Sequence, residues 1–215
     1  SSWSADDPQF TLETLVADVK GLLDALEIPR VHFIGASGGG TVGLKFAHTH
    51  PDRVRSLTLV TSTPRLSQAN IDLSQWADTL ESDGVVGWVM RDAVTRFGEN
   101  ANPELIEWFV QEGSRTPAAV AKAYTSYMAT VDLTDILTEI NAKTLLLAAE
   151  DDEITPLPMQ KLLQEQLPRA ELRTFPGVGH NIKVLIPEQL AAETLAFLQN
   201  VDQVESAFLG MSLNC

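Results

Sequence analysis

Apolar positions recur along this chain with two periods. In residues 11–26, TLETLVADVKGLLDAL, the residues Leu12, Leu15, Val16, Val19, Leu22, Leu23 and Leu26 return at steps of three and four, which predicts an amphipathic helix. Thr11 stands where an N-cap belongs, and Glu13 falls in the first turn, where the helix dipole favours negative charge. Three short apolar runs have no such period, Val31–Ile34, Ser56–Thr61 (SLTLVT) and Thr144–Ala148 (TLLLA), and Glu171–Phe175 reads as a fourth segment of the same kind of length. They predict strands, and runs like LTLV and TLLLA suit strands covered on both faces. Helical patterns over 38–49, 158–167 and 187–199 separate them; Pro51 stops the first, and Pro158 and Pro187 suit first turns. The tail beyond Asn200 shows no clear role. Strands alternating with helices predict an α/β fold built on a parallel sheet with four recognisable strands.

Residues 64–140 break this alternation. They contain no predicted strand, only short helical patterns at Leu73–Leu80, Val85–Phe97, Glu104–Glu112, Ala118–Ala129 and Leu133–Ile140, punctuated by Gly84, Gly98, Pro103 and Gly113. Trp76, Trp88 and Trp108 lie in this stretch. They read either as the core of a small helical bundle or as the apolar inner face of a lid over a substrate pocket, and the two readings are compatible.

Charge narrows the function. With 29 Asp and Glu against 15 Lys and Arg, the formal net charge is -14. A phosphate backbone or anionic membrane is held by clustered Lys and Arg, and no such cluster exists, so neither nucleic acid nor a membrane is the expected partner. No apolar run approaches the ~18 residues of a membrane span, and no signal-peptide pattern opens the chain. Ser1 in place of Met marks a processed, trimmed or partial product. Cys215 is the single cysteine. That rules out an internal disulfide, no Cys/His cluster has zinc spacing, and the expected compartment is the reducing cytoplasm.

Candidate chemistry centres on Val31–Gly40, VHFIGASGGG. Gly35-Ala36-Ser37-Gly38-Gly39 matches G-x-S-x-G, the nucleophile elbow, with the strand before it and the helix after it that the motif requires. Small neighbours let the chain turn sharply and hold a serine exposed above the sheet. At the N-terminus of the next helix, free N–H groups favour developing negative charge, and the N–H of Gly38 is the natural first oxyanion donor. A phosphate-binding loop is the competing reading, but the Walker lysine is missing, as is a G-x-G-x-x-G followed by a suitable acid.

Serine needs a base, and the base an orienting group. His48 and His50 end a helix and His32 sits inside a strand, so all three read as structural. His180, in FPGVGHNI, follows a strand and sits in a glycine-bearing loop, where catalytic groups of parallel sheets collect. TLLLAAEDDEITP offers three acids after another strand: Glu150, Asp151 and Asp152.

In these segments the chain resembles the α/β-hydrolases, with finer similarity to small esterases and enol-lactone hydrolases. VHFIGASGGGTVGLKFAHTHPDRVRSLTLV resembles the family's strand, elbow, helix and next strand. TLLLAAEDDEITP resembles its acid strand and loop, and FPGVGHNI its histidine loop. The family's acid stands four residues before a proline, which selects Asp152 through Pro156. The resemblance implies a Ser37–His180–Asp152 triad, a carboxylic ester or lactone as small-molecule substrate, and a helical cap over 64–140 on a core of 1–63 and 141–215. No metal or cofactor is implied, because side chains alone activate the nucleophile. Carbon–carbon bond hydrolysis, perhydrolysis, a ligand-binding role or an inert fragment remain alternatives on the same scaffold.

Two departures stand out. Ala149 replaces the family's usual glycine before the acid. No HG-type segment, which would donate the second oxyanion N–H, precedes Ser37, and Ser1-Ser2 resembles the tail of a family loop. The chain therefore resembles a hydrolase lacking its first strands. An uncovered edge at Val31–Ile34 would invite a second copy or a complementing N-terminal segment.

Overall fold

A computed structural model describes residues 10–68, 72–98 and 101–212; Ser1, Ser2 and Cys215 lie outside them. The first helix, α1 (Leu12–Ala25), buries Leu12, Val16 and Leu23, and Thr11 Oγ1 accepts the Thr14 N–H at 3.1 Å as its cap. Next come β1 (Val31–Ala36), α2 (Gly38–Thr49) and β2 (Val54–Val60). A helical stretch follows: α3 (Leu73–Ser82), α4 (Gly84–Phe97), α5 (Pro103–Gly113) and α6 (Ala118–Met128). The chain then returns through β3 (Lys143–Ala149), α7 (Leu157–Gln166), β4 (Ala170–Phe175), the short α8 (Ile182–Leu185) and the long α9 (Pro187–Ser212).

The four strands form one parallel sheet in the order β1-β2-β3-β4. Ala36 lies opposite Val60, Val60 opposite Leu147, and Ala149 opposite Phe175, so the carboxyl ends of all four strands meet along one edge. Successive side chains of a strand point to opposite faces, and β3 shows the result. Leu146 joins a core with Leu12 and Val16 of α1, Leu44 and Phe46 of α2, and Leu163 of α7. Its neighbours Leu145 and Leu147 join a second core with Phe197 and Val201 of α9. A third cluster, Leu80, Val85, Val89 and Ala121, with Trp88, Phe109 and Val110 against it, holds the helices between β2 and β3 together.

Among the described residues, β1 pairs only with β2 and its other edge has no strand beside it; Ile34 there is 53% exposed. The structure departs from the sequence expectations in three places. The last helix runs well past residue 199, because Phe197, Val201 and Val204 continue its apolar stripe. Asp202 and Glu205 pair with Arg55, Glu205 also with Arg30, and Asp202 Oδ1 lies 3.1 Å from His32 Nε2, so the segment beyond Asn200 is bolted to the amino ends of β1 and β2. The expected helix at Leu133–Ile140 is a 3₁₀ segment, Thr134–Glu139, started by Asp132 accepting from the Thr134 N–H. The helix α8, a single turn, has too few residues to show a period.

Leu146 is fully buried, whereas Leu195, on the outer face of α9, is 57% exposed. Leu146→Ala is therefore expected to lower the unfolding free energy by about 3 kcal/mol, and Leu195→Ala by less than about 0.5 kcal/mol, in urea titrations followed by circular dichroism.

Candidate active site

Ser37 joins β1 to α2 through a turn that no ordinary residue adopts freely. Its φ is 51°, a left-handed value that is costly for a side chain with a Cβ. The turn is pinned from both sides. The Ser37 N–H donates to Val60 O at 2.9 Å, extending the β1–β2 ladder, while Ser37 O accepts from Gly40 N–H at 2.9 Å, opening α2. The glycines around it are a steric requirement. A Cβ on Gly35 would lie 2.5 Å from Gly39 O, and one on Gly40 would lie 1.9 Å from Ser62 Oγ. The helix therefore packs hard against the strand it leaves.

His180 and Asp152 come from the loops after β4 and β3. His180 Nε2 lies 3.0 Å from Ser37 Oγ, and His180 Nδ1 lies 2.9 Å from Asp152 Oδ2. Both His180 and Asp152 are buried. The Asp152 carboxylate is saturated with donors. Oδ1 accepts from the N–H groups of Ile154 at 2.8 Å and Thr155 at 2.9 Å, and Oδ2 also accepts from Thr155 Oγ1 at 2.6 Å. Asp151 is exposed and Glu150 accepts from Thr174 Oγ1, so neither competes for the imidazole. The His180 loop is itself tied down, its carbonyl accepting from Thr61 Oγ1 at 3.0 Å and the next N–H, of Asn181, donating to Arg96 O at 3.0 Å.

Burial pushes the His180 imidazole below its ordinary value; the hydrogen bond and charge of Asp152 oppose this without reversing it. For Asp152, burial acts to raise the pKa, but the His180 hydrogen bond and charge and the donors of Thr155 outweigh it and hold the carboxyl below its usual value. The pair thus rests as a neutral imidazole beside a carboxylate. In that state Nδ1 donates to Asp152 and the lone pair of Nε2 faces the Ser37 hydroxyl, which is the arrangement for taking its proton.

A cavity of about 250 Å³ opens above Ser37, walled by Gly38, Trp76, Trp88, Arg96, Tyr124 and Met128 among others. Trp76 and Trp88 pack edge to face at 5.5 Å. Trp108 lies elsewhere, 50% exposed on the outer face of α5 and outside this lining. Tyr124 presses its hydroxyl onto the elbow: a Cβ on Gly38 would sit 1.9 Å from that oxygen. Burial raises the phenol's pKa, so it stays protonated and able to donate. A larger cavity of about 610 Å³ lies at the opposite, amino ends of the strands, among Arg30, Arg55, Lys143 and Arg169, and holds neither serine nor histidine.

The other histidines have structural surroundings. His32 bridges Ser56 and Asp202, His48 meets Glu139, and His50 lies against the Phe46 ring. Thr155, Tyr124 and Arg96 escaped the sequence reading. The first had a local signal, an acid followed three residues later by Thr, whereas the other two reach the site only through folding of the helices between β2 and β3. Among the described residues no group of His, Cys, Asp and Glu could hold a metal ion, and no helix is long and apolar enough to cross a membrane.

Several known proteins are similar to this chain. A protein called "Putative carbamate hydrolase RutD", from Caulobacter sp. (strain K31), is 29% identical over 208 residues, covering 92% of this chain and 76% of its own. A pimeloyl-[acyl-carrier protein] methyl ester esterase from Nitrosomonas europaea is 28% identical over 178 residues, covering 76% of this chain and 69% of its own. Among solved structures, a thermophilic esterase from Thermogutta terrifontis superposes with a TM-score of 0.78 at 26% identity, over 89% of this chain and 73% of that one. The family model described as the alpha/beta hydrolase fold matches residues 1–185, and the chain belongs to the α/β-hydrolase family.

Proposed function

We propose that this protein is a serine hydrolase that cleaves a small carboxylic ester or lactone. The observation that carries the reading is the hydrogen-bonded line from Ser37 Oγ through His180 to Asp152 at the floor of the cavity. The relatives' names, a carbamate hydrolase and a methyl ester esterase, share one bond type: a carbonyl carbon joined to a heteroatom.

In this reading Ser37 Oγ bonds to the carbonyl carbon as its proton passes to His180 Nε2, and the carbonyl π electrons move onto oxygen. The tetrahedral intermediate collapses by breaking the bond to the leaving oxygen, which takes the proton from His180. Water, deprotonated by the same imidazole, then bonds to the acyl carbon, and Ser37 Oγ leaves it, taking the proton back from His180. Asp152 holds the ring and stabilises its cation. The Gly38 N–H, at the head of α2 where the first N–H groups lack intrahelical acceptors, is one oxyanion donor. The Tyr124 hydroxyl, in contact with Gly38, supplies the second. The helices over 64–140 act as a cap whose Trp76 and Trp88 wall the pocket. We further propose that the open edge of β1 is covered in solution by a second copy or by a complementing strand. Light scattering should then give a mass above 23.4 kDa, and a monodisperse monomer would sink that part of the proposal.

Three measurements test the chemistry. A fluorophosphonate should label one serine, and labelling should vanish in Ser37→Ala and His180→Ala, with turnover of 4-nitrophenyl acetate falling by at least ~10⁴-fold. Tyr124→Phe should lower kcat by about 10²-fold with little change in KM, as expected for a donor used in the transition state; a change confined to KM would remove Tyr124 from that role. Because the base works deprotonated and its pKa is depressed, kcat/KM for a neutral ester should rise with pH along a limb whose midpoint lies below 6.5. A midpoint above 6.5 would contradict the burial argument.

A further inference from the structure

Among the described residues, the only charged side chain in the lining of the cavity above Ser37 is Arg96, in a chain whose net charge is -14. Among those residues no Asp or Glu faces that cavity. The guanidinium is placed with care. Its Nε donates to Asp92 Oδ2, one turn earlier on α4, and Asp92 is buried. Its carbon Cζ stacks 5.9 Å from the centre of the Trp76 ring. Its backbone carbonyl receives the Asn181 N–H, so the Arg96 backbone is fixed beside the His180 loop.

A purely structural arginine would spend its fork on its partner, two parallel N–H···O bonds to one carboxylate. Arg96 does not. Asp92 takes only Nε, and neither terminal nitrogen has an acceptor among the described residues. Four N–H donors of a fixed planar fork are therefore left over at the wall of a site built to hold a carbonyl compound. A carboxylate matches such a fork with two parallel N–H···O bonds. A neutral alkyl chain there would offer the fork no acceptor at all. The cavity volume, about 250 Å³, amounts to roughly eight waters at ~30 Å³ each and so admits only a short molecule.

We propose that Arg96 anchors an unreacting carboxylate on the substrate, so that the preferred substrates are small esters or lactones that carry a second, free acid group. This rests on the serine-hydrolase reading above and names the substrate class of that same site.

The test uses two matched pairs of substrates. On the acyl side, the 4-nitrophenyl half-ester of glutaric acid is compared with its methyl diester. On the alcohol side, the butyryl ester of glycolic acid is compared with the methyl ester of the same compound. The expected result is a carboxylate/neutral ratio of kcat/KM of about 10 or more in one pair. In Arg96→Gln that ratio should fall by roughly 10–100-fold, the weight of a charge-assisted hydrogen bond, and Arg96→Lys should restore part of it. Since Arg96→Gln strands the buried Asp92, the double variant Asp92→Asn/Arg96→Gln removes both charges and serves if the single one fails to fold. Ratios near one in both wild-type pairs, or a ratio that survives in the folded variants, would overturn the proposal. Fluorophosphonate labelling of Ser37, which needs no carboxylate, reports separately on the hydrolase reading. If labelling and turnover both fail, tryptophan fluorescence decides: a saturable response to glutarate but not to glutaramide, lost in the double variant, supports the anchor, and no response overturns it.

Discussion

Everything at this site depends on one steric constraint, the absence of side chains around a backbone turn. Ser37 sits at a φ of 51°, and such a conformation persists only where its surroundings leave no alternative. Here those surroundings are Gly35 and Gly40, whose missing Cβ atoms let the first turn of α2 lie against the end of β1 and against Ser62. The conformational cost is offset by the sheet and the helix, each of which claims one backbone group of Ser37. A serine presented this way needs no flexible arm to reach the His180 imidazole. Its position is fixed to the sheet as firmly as that of any core residue.

The parallel sheet does the rest of the assembly. All four strands end on the same edge, so the loops after β1, β3 and β4 deliver Ser37, Asp152 and His180 to one place although 143 residues separate the first from the last. Buried polar groups then lock these loops to one another. Thr61, just past β2, holds the His180 carbonyl, and Gln160 of α7 donates to the Ser62 carbonyl at 2.9 Å, so the loop after β2 braces both neighbours. Each of these bonds satisfies a group that would otherwise be orphaned in the interior, which ties the geometry of the site to the stability of the fold.

How much of this could be read from the amino-acid string follows from the range of each interaction. The strands and α2 were legible because their signals are local: an apolar run, a turn of glycines, a proline at a helix start. Asp152 was legible only by its register against Pro156, and the structure shows a different local reason for its suitability, the two N–H groups and the hydroxyl that converge on it from Ile154 and Thr155. Trp108 misled, because tryptophans on short helices look alike until packing decides which face turns inward, and α5 turns this one outward. Tyr124 and Arg96 could not be found at all. They meet Gly38 and Asn181 across long stretches of chain, and nothing in their own neighbourhoods marks them. The end of α9 was missed for a related reason, since its acids acquire meaning only opposite Arg30, Arg55 and His32.

The bond from the Asn181 N–H to the Arg96 carbonyl joins two parts of the molecule that are otherwise distinct, the loop that carries the imidazole and the end of α4. It is a mechanical linkage. Gly98, at a φ of 82°, ends α4 two residues after that anchor, and Gly179, beside His180, packs against the same carbonyl, where an added Cβ would lie 3.1 Å away. Helix α4 is thus tied at its carboxyl end to the loop that carries His180, while Val85 and Val89 pack its other half against Leu80 and Ala121. Lifting that tied end would carry the imidazole away from the serine, so the place of His180 depends on that of α4.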